Sequence, residues 1–400
     1  MKIISFKKNV INLLLLLISL SIIYSFGTFY TNKLGQILSL LIIFFSLICL
    51  WIIEPIISIS KKTLYYFIFY VFGALILLIK SGFSSYSVFM LGLAFPICTW
   101  LAYFLLQKNM FKKFIFIFNN IVAIIAIVSM IFWLFGSILH VINSTSIVYS
   151  NWSSSFVNSY YNIYFEPQNA NRNLLGLQIG VRNSAIFFES TLATFIFGCA
   201  LISNDLFIKK LRYRIIFLLA IITTTNTTSI FLLLLYILYL IFNNLETKYK
   251  TLVIFLGIII GAVILILLIQ VMQSKKNDGI SYEVRSTHML DELKAFILSP
   301  IYGHGVNRFT NGSSNSICAL AADGGILLWG LYYIPLIWLL KKISEDNIML
   351  LIIFIMIFSI TVVQYTYLMY LIISSIWIIL LDQPLYGNLL NVKDVSGDKL

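Results

Sequence analysis

The sequence predicts an all-α, polytopic membrane protein, and three observations carry that prediction. Of 400 residues, 60% are hydrophobic and only 10% are charged, where a soluble domain carries about 25%. Mean hydropathy is +0.97. Apolar runs near the ~20 residues needed to cross a bilayer alternate with short polar breaks along the chain. Residues 1–400 therefore read as one integral membrane domain of about twelve transmembrane helices, with little soluble mass.

The predicted spans are 9–30, 34–53, 63–80, 84–106, 114–140, 184–203, 212–225, 228–243, 251–272, 320–340, 347–363 and 366–382. Lys2, Lys7 and Lys8 precede the first run and no small-residue cleavage site follows it, so it reads as an uncleaved span. The runs 212–243 and 347–382 are each interrupted, by Thr223 to Ser229 and by Gln364-Tyr365-Thr366, and read as short hairpins. The four cysteines, Cys49, Cys98, Cys199 and Cys318, are scattered and form no CxxC pair, which fits packing residues rather than disulfides or metal ligands.

Lysine distribution sets the orientation. With the N-terminus in the cytoplasm, the clusters at Lys7-Lys8, Lys61-Lys62, Lys112-Lys113, Lys209-Lys210 and Lys341-Lys342 all fall inside, and both termini are cytoplasmic. The net charge of +12 then reports orientation and attraction to anionic lipid. No nucleic-acid motif accompanies it. Two long loops, about 141–183 and 273–319, face the extracytoplasmic side. The first is rich in Asn, Ser and aromatics. Tyr161 and Tyr164 are candidates for stacking on sugar rings, and an interfacial aromatic belt is the other reading. The second contains a predicted amphipathic lid helix over about 281–298, with Ser281 as N-cap and Ser299-Pro300 as its end. Met289, Leu290, Leu293, Phe296 and Ile297 fall on one face of it, with Arg285, His288 and Glu292 along the flank.

Four of the six arginines, Arg172, Arg182, Arg285 and Arg308, lie in these outer loops, whereas the inner loops carry mostly lysine. A guanidinium is a planar fork that matches phosphate oxygens; lysine is enough for orientation. Pairing with loop carboxylates such as Glu166, Glu189, Asp291 or Glu292 is the structural alternative. Glu189 is placed one or two turns into the sixth span, where a carboxylate is a functional candidate. No His, Cys or carboxylate cluster has metal-ligand spacing, and no P-loop, GxGxxG or GxSxG occurs, so no metal or cofactor is expected. An outward-facing enzyme without a nucleotide site needs a donor already activated in the membrane. A lipid pyrophosphate fits, because fixed arginines would stabilise the charge gained by the leaving diphosphate.

Three stretches carry a resemblance to a known family. They are Gly180 to Glu189 (GVRNSAIFFE), Thr223 to Leu235 (TTTNTTSIFLLLL), and Arg285 followed by Ser299 to Gly305 (SPIYGHG), Ser314-Asn315 and Asp323-Gly324-Gly325. Their order resembles the O-antigen polymerase and O-antigen ligase family of bacterial envelope polysaccharide synthesis, over roughly residues 175–340. The resemblance implies metal-independent, inverting transfer of glycan from an undecaprenyl-pyrophosphate carrier to a sugar hydroxyl, at the outer face of the bacterial cytoplasmic membrane. It implies that Arg182 and Arg285 grip the diphosphate, with Asn315 and His304 as further catalytic candidates. Arg172, Glu189, His288, Arg308, Tyr161 and Tyr164 are then candidates for substrate binding. The family often has His-Asn where this chain has Ser314-Asn315, which leaves the acceptor-side base unassigned. A flippase and a chain-length regulator are the implied partners, for O-antigen, capsule or exopolysaccharide. A ligase of the same family and a lipid-linked oligosaccharide flippase are the alternatives. The absence of an internal repeat argues against a transporter.

Overall fold

The computed structural model describes residues 2–31, 33–56, 59–150, 155–167, 172–174, 177–179, 181–244, 280–306, 308 and 312–382. The predicted span 251–272 lies outside the described residues. The helices are α1 (Lys2–Tyr24), α2 (Lys33–Ile53), α3 (Lys61–Lys80), α4 (Ser85–Gln107), α5 (Phe111–Ile138) and α6 (Ser190–Ile208). They continue as α7 (Leu211–Thr224), α8 (Thr227–Asn244), α9 (Ile280–Leu298), α10 (Ser316–Lys342), α11 (Glu345–Ile360) and α12 (Tyr367–Leu381). Among the described residues seven of these are long and apolar enough to cross a membrane: α1 to α6 and α10. The chain is a mostly helical, polytopic membrane protein.

Local sequence explains where the helices begin and break. Ser60, Ser84, Asn315 and Thr366 each accept a backbone N–H from the first turn of α3, α4, α10 and α12. Thr225 takes a left-handed conformation (φ 42°) and ends α7, and Asn226 Oδ1 then accepts from Ser229 N at 2.7 Å to start α8. The polar break Thr223 to Ser229 is thus a helix-to-helix turn, as its composition predicts. π-helical turns occupy Val88–Ala94 in α4, Trp133–Ile138 at the end of α5 and Asn204–Ile208 at the end of α6.

In a bilayer, helices associate by close packing and interhelical hydrogen bonds rather than by the hydrophobic effect. The α4–α12 pair does both. Thr99 Oγ1 and Ser374 Oγ lie 2.7 Å apart, and Phe95 packs against Tyr370 with ring centroids 4.9 Å apart. Tyr70 of α3 stacks on Phe95 at 4.2 Å, and Trp377 Nε1 donates to Leu331 O of α10 at 2.8 Å.

Hydrogen bonds between connecting segments sort the two ends of the bundle. At one end, Phe29 N donates to Ile186 O (3.0 Å), Asn183 N to Thr223 O (3.1 Å) and Val306 N to Ser81 Oγ (2.9 Å). Tyr367 OH donates to Gln36 O there, at 2.8 Å. At the other, Lys7 pairs with Glu54 (2.7 Å), Lys108 Nζ donates to Pro55 O (2.6 Å), and Thr63 Oγ1 donates to Asp382 (2.6 Å). The first set joins only segments assigned to the extracytoplasmic side by charge, and the second only segments assigned to the cytoplasm. We call them the loop end and the lysine end.

The long loop after α5, which the sequence reading leaves without regular structure, carries five short strands. β1 (Ser146–Ser150), β2 (Ser155–Tyr160) and β3 (Tyr164–Glu166) form an antiparallel sheet, and β4 (Arg172–Leu174) pairs with β5 (Leu177–Ile179). The chain is therefore not purely α: antiparallel pairing sets Val148 opposite Val157 and Tyr149 opposite Phe156.

Candidate functional site

The segment carrying Arg182 is extended, and neighbouring elements hold it from several sides. Trp133 Nε1 of α5 donates to Val181 O at 2.6 Å. The Asn183 side chain, fully buried, donates to Thr223 Oγ1 at 2.8 Å and to Ser129 Oγ at 3.2 Å, and its Oδ1 accepts from Ala185 N at 2.9 Å. Thr28 and Phe187 form an isolated antiparallel bridge. Arg182 is half-buried and leads directly into this anchored stretch. Two of the three family-like stretches, GVRNSA and TTTNTTS, thus meet through Asn183 and Thr223.

Beside them, Glu166 is buried with three donors: Ser137 Oγ (2.5 Å) and Tyr160 OH (2.8 Å) to Oε1, and Asn158 Nδ2 (3.0 Å) to Oε2. A buried carboxylate needs such partners. Desolvation, followed by the hydrogen bond to Glu166, pushes the Tyr160 hydroxyl up to about 12. Glu166 therefore ties the sheet to the π turn of α5. Tyr164 is fully buried, with its ring stacked near Phe132 at 6.4 Å, so it offers no face to a sugar. Tyr161, 62% exposed, keeps one. Glu189 is not one or two turns inside a span. It is the N-cap residue of α6, half-buried, and accepts from Thr191 Oγ1 at 2.6 Å. The extended stretch before it delays the helix start. Arg172 begins β4, opposite Ile179.

The second cluster is built on α9, which forms as predicted but faces differently. Glu292 and Ala295 are fully buried, while Leu290 (54%), Leu293 (40%) and Ile297 (74%) are exposed. The small Ala295 permits close approach, and Glu292 gains bonds that an apolar residue could not make. Ser314 Oγ donates to Glu292 Oε2 at 2.6 Å, and Ser314 N donates to Oε1 at 3.3 Å. Burial holds the Glu292 carboxyl above the ordinary carboxylate range, opposed by the Ser314 bonds and by His288. His288 is half-buried, with its ring over Gly312, where a Cβ would lie 2.5 Å from Cε1. Arg285 is exposed on the same helix.

Asn315 is committed to structure: its Oδ1 caps α10 by accepting from Cys318 N at 2.8 Å, and its Nδ2 donates to Ser314 Oγ at 2.9 Å. His304 is half-buried with Nε2 3.0 Å from Ala295 O, so it braces the C-terminal part of α9. Arg308 is exposed, its guanidinium filling the space beside Gly82 in the α3–α4 turn.

The third family-like stretch closes on itself. α10 starts at Ser316, earlier than the predicted 320, and breaks at Gly325 (φ 58°, ψ −154°), a conformation essentially restricted to glycine. The loop 300–305 lies against the break: His304 N donates to Ala322 O (3.0 Å), Gly305 N to Asp323 O (2.8 Å) and Ile326 N to Pro300 O (2.8 Å). A Cβ at Gly303 would lie 2.4 Å from the Asp323 carbonyl, so SPIYGHG and DGG fit only as glycine-lined partners. The buried Asp323 accepts from Tyr365 OH at 2.7 Å, which ties this break to the turn between α11 and α12.

No family model matches this sequence, and no curated protein or solved structure matches it. Among the described residues, no group of three or more His, Cys, Asp or Glu side chains gathers as metal ligands do. The loop end instead holds two constellations: Arg182 with Asn183, Thr223 and the Glu166 sheet, and His288, Glu292, Ser314 and Asn315, with Arg285 exposed on the same helix. Sequence reasoning missed Asn183, Ser137 and Asp323 as organising residues. For Ser137 and Asp323 the available signal was a lone polar residue within an otherwise small or apolar stretch, which must find a partner once buried.

Proposed function

We propose that this chain is a polysaccharide repeat-unit polymerase of the bacterial cytoplasmic membrane. It transfers glycan from an undecaprenyl-pyrophosphate carrier to a sugar hydroxyl at the outer face. The observation that supports this most is that all three family-like stretches lie at the loop end, two of them joined by Asn183 and Thr223. On this reading the acceptor hydroxyl attacks the anomeric carbon, the bond to the carrier diphosphate breaks, and the acceptor loses its proton. Arg182 and Arg285 offset the charge that develops on the diphosphate; a charge-assisted hydrogen bond contributes roughly 1.5–3 kcal/mol. Ser314, held by Glu292, stands where the family often has histidine.

The finer topology belongs to the same proposal: twelve spans, with both termini in the cytoplasm. α8 ends at the lysine end, beside Asp346 (Asn243 Nδ2 to Asp346 O, 3.4 Å), and α9 lies at the loop end. A flippase would supply the carrier-linked unit and a chain-length regulator would limit the product.

Analysis of carrier-linked glycan in a deletion strain tests the function. A polymerase leaves single repeat units on the carrier at the outer face or on its acceptor. Full-length chains stranded on the carrier would mean a ligase, and units stranded at the cytoplasmic face would mean a flippase.

A further inference from the structure

A cavity of about 120 Å³ lies among α5, α6, α10, α11 and α12. Its wall is apolar, formed by side chains such as Phe114, Phe118, Ile202, Leu206, Phe354 and Ile376. Two hydroxyls reach it, and both are already satisfied by the protein. Ser375 Oγ donates to Leu371 O at 2.7 Å, and Ser203 Oγ bonds Asn119 Oδ1 at 3.0 Å and Ala200 O at 3.1 Å. Such a lining offers nothing to water and suits a hydrocarbon. On α12 it runs from Leu368 to Ile379, about 16 Å at the helical rise, so the space is long rather than round.

The end of the cavity differs in chemistry. Its wall finishes at Phe111, Phe207 and Ile343, all at the lysine end. Lys112, Lys209 and Lys342 lie within two residues of these three positions. Lys112 and Lys209 are exposed, and the Lys342 ammonium lies 5.2 Å from the Trp338 ring. The nearby carboxylates are Glu345 and Asp346 at the start of α11, and Asp205, which is bound to Arg214 at 3.1 Å. Positive charge exceeds negative at this rim. A narrow apolar slot ending in lysines complements a molecule with an alkyl chain and an anionic head, and basic pockets between spanning helices bind anionic lipid headgroups.

We propose that this cavity binds one acyl chain of an anionic glycerophospholipid from the leaflet at the lysine end, with Lys112, Lys209 and Lys342 holding its phosphate. The lipid would act as a wedge between α5–α6 and α10–α12. This site is independent of glycan transfer, so either reading can fail without the other.

The test uses the full chain in vesicles of phosphatidylglycerol and phosphatidylethanolamine, followed by native mass spectrometry. Phosphatidylglycerol should be retained preferentially, and alanine at Lys112, Lys209 and Lys342 should lower that preference about fivefold per lysine. Phosphatidylglycerol with a photoreactive group in mid-chain should label segments 199–207 and 368–379. Ser375→Leu, which fills the slot, should abolish that labelling; if that variant folds poorly, the exposed lysine variants still decide. Equal retention of phosphatidylethanolamine would overturn the proposal. So would labelling spread over outward positions such as Ile124 and Ile215, or its absence from the lining.

Discussion

Asn183 binds Thr223 twice, its backbone N–H donating to the threonine carbonyl at 3.1 Å and its side-chain amide to Oγ1 at 2.8 Å. Through this pair the α7–α8 turn fixes the residue next to Arg182. Removing one partner leaves buried polar groups unsatisfied, a cost of roughly 1–3 kcal/mol. Asn183→Ala should therefore lower the unfolding temperature in detergent and reduce polymer formation, although Arg182 is intact. Thr223→Ala should do the same more weakly, because it removes one of the three bonds that the Asn183 side chain makes. The double variant should lose less than the sum of the two, and strict additivity would break the proposed link.

Glu292 gives a pH signature. Burial raises its carboxyl above the ordinary 4.5, so the folded state holds the proton more tightly than the unfolded state does. The contribution to stability is full below 4.5 and is lost as pH rises through the folded value. Amide exchange of α9, or thermal unfolding, should show the helix loosening across that interval. Glu292→Gln keeps an acceptor for Ser314 and should flatten the profile. A profile unchanged by Glu292→Gln would assign the effect to another group.

Arg285 and Glu292 share a helix but not a salt bridge. Among the described residues the ion pairs are Lys7–Glu54, Arg214–Asp205 and Lys294–Asp291, and Glu292 bonds Ser314 instead. The two residues should therefore separate on mutation. Arg285→Ala and Arg285→Lys should both abolish polymer while leaving the unfolding temperature within about 1 °C, since the side chain is exposed and a lysine lacks the planar fork. Glu292→Ala should lower the unfolding temperature. Arg285→Lys with most activity retained would remove the diphosphate role.

Much of this was legible in the chain. Seven spans stood out because apolar runs of ~20 residues are long enough to cross a bilayer. Helix α9 was visible from Ser281 to Ser299-Pro300, but its facing was not. Periodicity assigned Leu290, Leu293 and Ile297 to one face without saying what that face meets, and a bond from Glu292 to Ser314 depends on a loop 22 residues away. The strands of the first loop were hidden because their aromatics also fit an interfacial belt. Asn315 and Tyr164 looked available for chemistry by residue type alone. Capping and burial use them up: the cap was hidden because the helix starts at Ser316 rather than 320, and the burial of Tyr164 depends on the fold around it.

The central claim is tested most directly by elongation with purified components. The protein, reconstituted in vesicles with a lipid-diphosphate-linked repeat unit as sole glycan, should build a ladder of longer carrier-linked chains and release one lipid diphosphate per bond formed. Elongation should persist in excess chelator and disappear in Arg182→Ala and Arg285→Ala. Repeat units that only cross the bilayer, or a ladder that both arginine variants still build, would contradict the account.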